Sequence, residues 1–207
     1  AISITDTAEP QVLLMHTHTT ESYELIPRDF FDNSFQTRSR DTTRNMVRVG
    51  DEIEKQLKLA GIGVIHDTTE HDYPSYTGAY NRSKVTVQNI LNENPSIKVV
   101  LDVHRDAIGS DDVRTAPVAN INGKDAAQVM IISGCDDGTM DYPNYLKNLG
   151  FASLLQKQME GDYPGLTRPV LFSYRYYNQD LTTGSILLEM GGHANSLGEA
   201  VYCGELV

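Results

Sequence analysis

The sequence predicts an α/β domain, a three-layer sandwich whose mostly parallel sheet is flanked by helices. Three observations predict it. Short apolar runs alternate with segments whose apolar residues recur every three or four positions, the pattern of strands and crossover helices. The runs at residues 12–15, 97–103 and 186–188 are each followed by a residue able to bind a metal: His16, His104 and Glu189. In an open parallel sheet, ligands bind beyond the carboxyl ends of the strands, so residues far apart in sequence are expected to meet there.

The elements follow in order. Residues 11–15 form the first strand, which opens into His16-Thr17-His18-Thr19-Thr20-Glu21. The polar stretch 22–41, with Pro27 and Asn33, reads as a long loop over the site. Met46, Val49, Ile53, Leu57 and Ala60 recur at helical spacing, and Gly61 stops that helix. Residues 62–65 are a short strand, followed by a polar loop over 66–70, and a helix runs over 78–91. Asn94-Pro95 ends it, because proline disfavours helical geometry in the residue before it. The β-branched run 97–103 is the strongest strand signal.

Residues 109–120 are turn-rich, and Asn122-Gly123 suits a hairpin. A strand is expected over 126–132, then a helix over 145–159 with Leu146, Leu149, Leu154, Leu155 and Met159 inward. The last strands are 169–172 and 185–188, and Asn195 or Ser196 caps a C-terminal helix.

With 207 residues, 40% of them hydrophobic and 22% charged, the chain suffices for one core, and residues 1–207 read as one domain. The 28 acidic against 17 basic residues give a net charge of -11, which argues against a nucleic-acid backbone as the main partner. No apolar run approaches the ~18 residues of a membrane span, and the start has no basic and apolar leader. Cys135 and Cys203 lack CxxC spacing, which excludes a zinc knuckle or a dithiol motif; two separate, inert thiols are expected.

Two imidazoles and a carboxylate on a divalent metal, with a free carboxylate nearby, make a hydrolytic zinc centre. The spacing His18-x-x-Glu21 sets an imidazole and a carboxylate on one turn, and His104 supplies a third ligand from a central strand. Glu189 is then the catalytic base, interrupting an apolar run just before Gly191-Gly192. His16 competes with His18; otherwise it faces substrate or supports a ligand. His66, His71 and His193 are expected to be hydrogen-bonded or solvated. Asp102, two residues before His104, shares its face of the strand and can orient an imidazole or form a buried ion pair. Arg105 and Arg175, with Arg114, Arg168 and the tyrosines at 174, 176 and 177, are candidates to clamp peptide carboxylates and stack on sugars. No HExxH helix, GxSxG elbow or phosphate loop is present.

Residues 13–23 (LLMHTHTTESY), 100–106 (VLDVHRD) and 186–196 (ILLEMGGHANS) closely resemble the stage II sporulation protein P family of endospore-forming bacteria. Residues 45–50 (NMVRVG) and 80–83 (YNRS) extend the resemblance through nearly the whole chain. That family is similar to zinc-dependent N-acetylmuramoyl-L-alanine amidases, which implies an amidase-like fold. It also implies His18 and His104 as zinc ligands, with Glu189 as the late glutamate.

The resemblance further implies cleavage of the amide between muramic acid and the stem peptide, with endopeptidase action on stem peptides. It implies partnership with stage II sporulation protein D during forespore engulfment, in the space between mother cell and forespore. A membrane anchor normally precedes the domain, so the chain reads as a trimmed ectodomain. The broader amidases place a glutamate ligand just before the first helix, where this chain has Arg40-Asp41-Thr42-Thr43-Arg44. Glu21 is the better substitute and Asp41 the reserve. Two alternatives stand beside the zinc amidase: a carboxypeptidase-like metallopeptidase on free stem peptides, and a catalytically silent wall-binding module.

Overall fold

The computed structural model describes residues 2–5, 7–110 and 112–207, so Ala1 and Asp6 of the start and Asp111 of the 109–120 loop lie outside the described residues. In chain order the strands are β1 (Thr7–Met15), β2 (Ile62–His66), β3 (Val99–Asp106), β4 (Val118–Ile121), β5 (Lys124–Ala127), β6 (Val129–Gly134), β7 (Leu171–Ser173) and β8 (Ser185–Gly192). The helices are α1 (Met46–Leu59), α2 (Ala79–Glu93), α3 (Tyr145–Asp162) and α4 (Leu197–Leu206).

Six strands form one sheet in the order β2-β1-β3-β8-β6-β7, and β4-β5 is a separate antiparallel hairpin. The pairs β2/β1, β1/β3 and β3/β8 are parallel; β6 runs antiparallel to β8, and β7 parallel to β6. The expected mostly parallel α/β architecture is the one observed.

Strand side chains alternate between faces, and here the alternation sorts the core into unequal halves. Val12 and Leu14 of β1, Leu101 and Val103 of β3, and Ile186, Leu188 and Met190 of β8 belong to the large cluster, which α1, α3 and α4 cover. Leu13, Met15 and Val100 point the other way, against Val87 of α2. On that second face β3 carries Asp102 and His104 instead of aliphatic residues.

Local signals set the helix ends. Asn45 caps α1 by accepting from the Val47 amide at 3.0 Å, and Gly61 closes it at φ 76°, a conformation that glycine adopts without strain. Ser196 caps α4 in a reciprocal capping box with Glu199.

Three expectations need correction. The run 126–132 is not one strand: the chain turns through Asn122 and Gly123, both at positive φ, pairs β5 with β4, and leaves that hairpin at Gln128 before β6 begins. The third strand starts at Val99, because Ile97 closes the Asn94 turn by donating to the Asn94 carbonyl at 3.1 Å. Helix α3 faces inward with Asn148, Ala152 and Met159, leaving Leu146 and Leu154 exposed. The Asn148 side-chain amide donates to the carbonyls of Gln179, Thr182 and Ser185, and that contact fixes the rotation of the helix.

Candidate metal centre

Adjacent parallel strands set the first two groups, since His104 of β3 and Glu189 of β8 are register partners and project from the same face. The turn after β1 supplies the others. Glu21 donates its amide to the His18 carbonyl at 3.1 Å, a tight turn that brings both side chains back over β3.

Nδ1 of His18 lies 3.4 Å from Oε1 of Glu21, and Nδ1 of His104 lies 3.6 Å from Oε2 of the same carboxylate. One ligand atom from each of the three buried residues lies within 4.8 Å of the others. Two imidazole nitrogens and a carboxylate converging on one point form a donor set that zinc favours. The other nitrogen of His104, Nε2, stands 2.8 Å from Oδ1 of Asp102, a close charge pair without hydrogen-bond alignment, and Nδ1 faces Glu21. Asp102 is itself fixed by the Thr17 amide at 2.8 Å and the Thr17 hydroxyl at 2.7 Å. A carboxylate behind a ligating imidazole is the usual support of a metal-binding histidine.

The electrostatics are those of an anionic pocket that attracts positive charge, where a proton on His104 and a metal ion compete for the same nitrogen. Burial penalises charge on Glu21, yet its contacts with His104 and His18, helped by Arg105, hold its carboxyl far below the ordinary range. Burial likewise opposes charge on His104, but Asp102 and Glu21 outweigh it and hold the imidazole well above its usual value. Glu189 moves the other way: burial pushes it up to about 8, with Glu21 and Asp106 adding to the rise. Its Oε2 is buried without a hydrogen-bond partner among the described residues, a costly arrangement that leaves the atom available.

Aromatic and basic residues wall the group. The His18 ring stacks on Tyr76 at 4.5 Å and meets Tyr80 edge-on at 5.5 Å, and Tyr80 lies parallel to His104 at 6.3 Å. Arg38 bonds Asp72 at 2.6 Å, approaches Glu21 at 3.4 Å and lies over the Tyr76 ring at 4.9 Å. Asp72 also accepts from the Thr20 hydroxyl at 2.7 Å, tying the turn after β1 to the segment before α2.

The structure brings His18, Glu21, His104 and Glu189 together and leaves out other candidates. His16 is neither ligand nor substrate-facing: it follows Met15 by one residue and points to the α1 side. There it is fully buried, with Nδ1 bonded to the Val103 carbonyl at 2.9 Å and Nε2 to His66 at 2.8 Å. Asp41 is exposed, and its carboxylate binds Thr43. Arg105 is buried, donating from its guanidinium to the Ser22 and Thr37 carbonyls at 2.6 Å each and from its amide to Glu21 at 3.2 Å. With those donors committed, it is a strut for the 22–41 loop rather than a free clamp. Arg175 is exposed and bonds the Tyr174 carbonyl, and Arg168 pairs with Asp106 at 3.0 Å.

His71 bonds the His16 carbonyl and Thr86, both at 3.0 Å. The two cysteines are free and buried. A cavity of about 640 Å³ beside the centre is lined by Arg38, Arg105, Arg114, Asp112 and His193 among others. Sequence reading missed Arg38, Asp72, Tyr76 and Tyr80; only Tyr80 carried a signal, as part of the YNRS segment.

Residues 3–207 match the family model described as Stage II sporulation protein P (SpoIIP). The chain is 32% identical over 199 residues to Stage II sporulation protein P of Bacillus subtilis (strain 168), a match covering 91% of this chain and 47% of that protein. It therefore spans about half the length of that relative. Among solved structures it is similar to the CwlD amidase from Clostridioides difficile, solved in complex with the GerS lipoprotein. The TM-score is 0.50 at 12% identity, over 95% of this chain and 92% of that one. A weaker likeness, TM-score 0.47 at 11% identity, is to the N-acetylmuramyl-L-alanine amidase Ami1 from Mycobacterium smegmatis, over 97% of this chain and 94% of that one. At such identity the CwlD likeness speaks for the fold, whereas the family is carried by the sequence matches: the chain belongs to the Stage II sporulation protein P family.

Proposed function

We propose that residues 1–207 form one catalytic domain, a zinc-dependent peptidoglycan hydrolase that cleaves the N-acetylmuramoyl-L-alanine amide during sporulation. The observation that carries this reading is the convergence of His18, Glu21 and His104 within 4.8 Å, beside a Glu189 oxygen without a partner. His18, Glu21 and His104 hold the metal. Zinc, when bound, supplies a Lewis acid that polarises the amide carbonyl and makes water a better nucleophile.

Glu189 moves the proton. Its carboxylate, made more basic by burial, takes a proton from the attacking water as the water oxygen bonds the carbonyl carbon. It then delivers that proton to the nitrogen as the carbon–nitrogen bond breaks, leaving a glycan lactyl carboxylate and a free peptide amine. Asp102 holds the His104 ring, and Arg38 keeps Glu21 oriented. The cavity lined by Arg38, Arg105 and Arg114 suits the carboxylates of a stem peptide, with Arg114 as the guanidinium not already bonded to a protein oxygen among the described residues.

Endopeptidase cleavage within the stem, an extracytoplasmic place at the cell wall and partnership with stage II sporulation protein D are part of the same proposal, on the family resemblance. The test is digestion of isolated peptidoglycan with mass analysis of the products, with bound zinc measured in parallel. Wild type is expected to hold zinc and release stem peptides. Glu189→Gln should keep the metal and lose cleavage, and His104→Ala should lose both. Cleavage by Glu189→Gln would overturn the assignment of the base, and release of single terminal amino acids would favour a carboxypeptidase. Wall binding without any product would favour a silent module.

A further inference from the structure

On the α1 side of the sheet, away from the centre above, His66 at the end of β2 meets Asp51 and Glu54 of α1. One ligand atom from each of the three lies within 4.8 Å of the others. Nδ1 of His66 is 3.4 Å from Oδ1 of Asp51 and 3.6 Å from Oε2 of Glu54, both longer than a good N–H···O hydrogen bond. The other oxygen of Glu54 is bonded to Lys58 at 2.6 Å, so Oε2 is the one turned inward.

The protons on this cluster follow from its neighbour. The Val103 carbonyl only accepts, so Nδ1 of His16 must donate to it, at 2.9 Å. His16 is fully buried, where a second proton and its charge are costly, so its Nε2 is left as an acceptor. The partner of that Nε2 is Nε2 of His66, at 2.8 Å, which must therefore donate. With its proton on Nε2, neutral His66 turns a bare lone pair at Nδ1 toward two carboxylate oxygens. The His66 side chain is only 4% exposed, while Asp51 is 51% and Glu54 24% exposed, so a cation has access from solvent. The three atoms lie close enough to share one positive charge, either a second proton on Nδ1 or a metal ion, and burial of the His66 ring disfavours the proton.

We propose that His66, Asp51 and Glu54 form a second divalent-metal site, of zinc type, that staples α1 to the end of β2. An imidazole ligand favours zinc and its transition-metal neighbours over magnesium or calcium. The site is independent of the reading given to the His18 centre. Gly50 is where the helix meets the histidine pair: a Cβ there would lie 2.5 Å from Nε2 of His66 and 2.8 Å from Nε2 of His16. The pair and the helix are thus in close contact, and a metal on Nδ1 bears on both.

The test compares wild type with the Asp51→Asn/Glu54→Gln double variant, whose changes are on the solvent side of α1. Both are equilibrated with micromolar zinc, passed through a desalting column and assayed for metal and melting temperature. Wild type is expected to retain one zinc per chain more than the double variant and to melt at a higher temperature when zinc is added. His66→Asn, which removes the nitrogen from the other side, is expected to lose the same equivalent. Because the comparison is a difference between proteins that share the His18 centre, it reads the same whether or not that centre binds metal. Equal zinc content in wild type and double variant overturns the site, as does an extra equivalent that appears only with millimolar zinc or equally well with magnesium.

Discussion

Asp102 and His104 stand two residues apart on β3, and Oδ1 of the first lies 2.8 Å from Nε2 of the second. The strand period of two puts both side chains on one face, so the backbone alone prepositions the pair. The consequence is an assigned ligand atom: Nδ1 of His104 faces Glu21 because Nε2 faces Asp102.

Asp102→Asn removes the charge behind that imidazole while keeping the shape, and it leaves one acceptor oxygen for Thr17 where the carboxylate offered two. Zinc affinity is expected to fall about 10- to 100-fold, read by competition with a chromophoric chelator. Unchanged affinity would show that Asp102 serves only to anchor the turn after β1.

The Gly50→Ala variant tests the contact between α1 and the histidine pair. An added methyl would lie 2.5 Å from His66 Nε2, so ring or helix must shift, at a cost of about 1–3 kcal/mol in denaturant unfolding. At an ordinary exposed helix position the same change would stabilise by up to ~1 kcal/mol, so the sign of the effect decides.

Helix α3 yields a pair of opposite expectations. Asn148→Ala removes the two N–H donors that the Gln179, Thr182 and Ser185 carbonyls share and is expected to cost about 1–3 kcal/mol. Leu154→Gln, at a site 69% exposed, is expected to change stability by less than ~0.5 kcal/mol in the same unfolding assay.

These two positions mark where the sequence was legible and where it was not. The mostly parallel α/β architecture and the grouping of His18, Glu21, His104 and Glu189 followed from apolar runs that end in ligating residues, since one residue's place on a strand fixes its face. The rotation of α3 did not follow, because its leucines lie on several sides and a single buried asparagine decides between them. Arg105 misled for a related reason: an arginine beside a site reads as a substrate clamp, and only the loop carbonyls of Ser22 and Thr37 reveal it as a strut. His16 was ambiguous in sequence because it lies two residues from His18. The end of β1 turns one toward α1 and the other toward β3.

Thiol chemistry gives a last check. Burial pushes the Cys203 thiol up, and both cysteines lie inside the fold, Cys135 at 3% and Cys203 at 0% exposure. Neither is expected to react with a disulfide reagent in the native protein, and both should react at once in denaturant. Fewer than two thiols in denaturant would point to a bridge that the fold does not contain.

The strand order carries a consequence for how this architecture tolerates change. The four groups His18, Glu21, His104 and Glu189 come from β3, β8 or the turn after β1, and β1, β3 and β8 are consecutive in the middle of the sheet. The edge strands β2 and β7 and the hairpin of β4 and β5 contribute none of them. The hairpin tip at Gly123 has no atom within 4 Å of where a side chain would begin. Peptides or reporter domains grafted at that tip would hang clear of the chemistry, so lineages and engineers alike can lengthen the molecule there without rebuilding its centre.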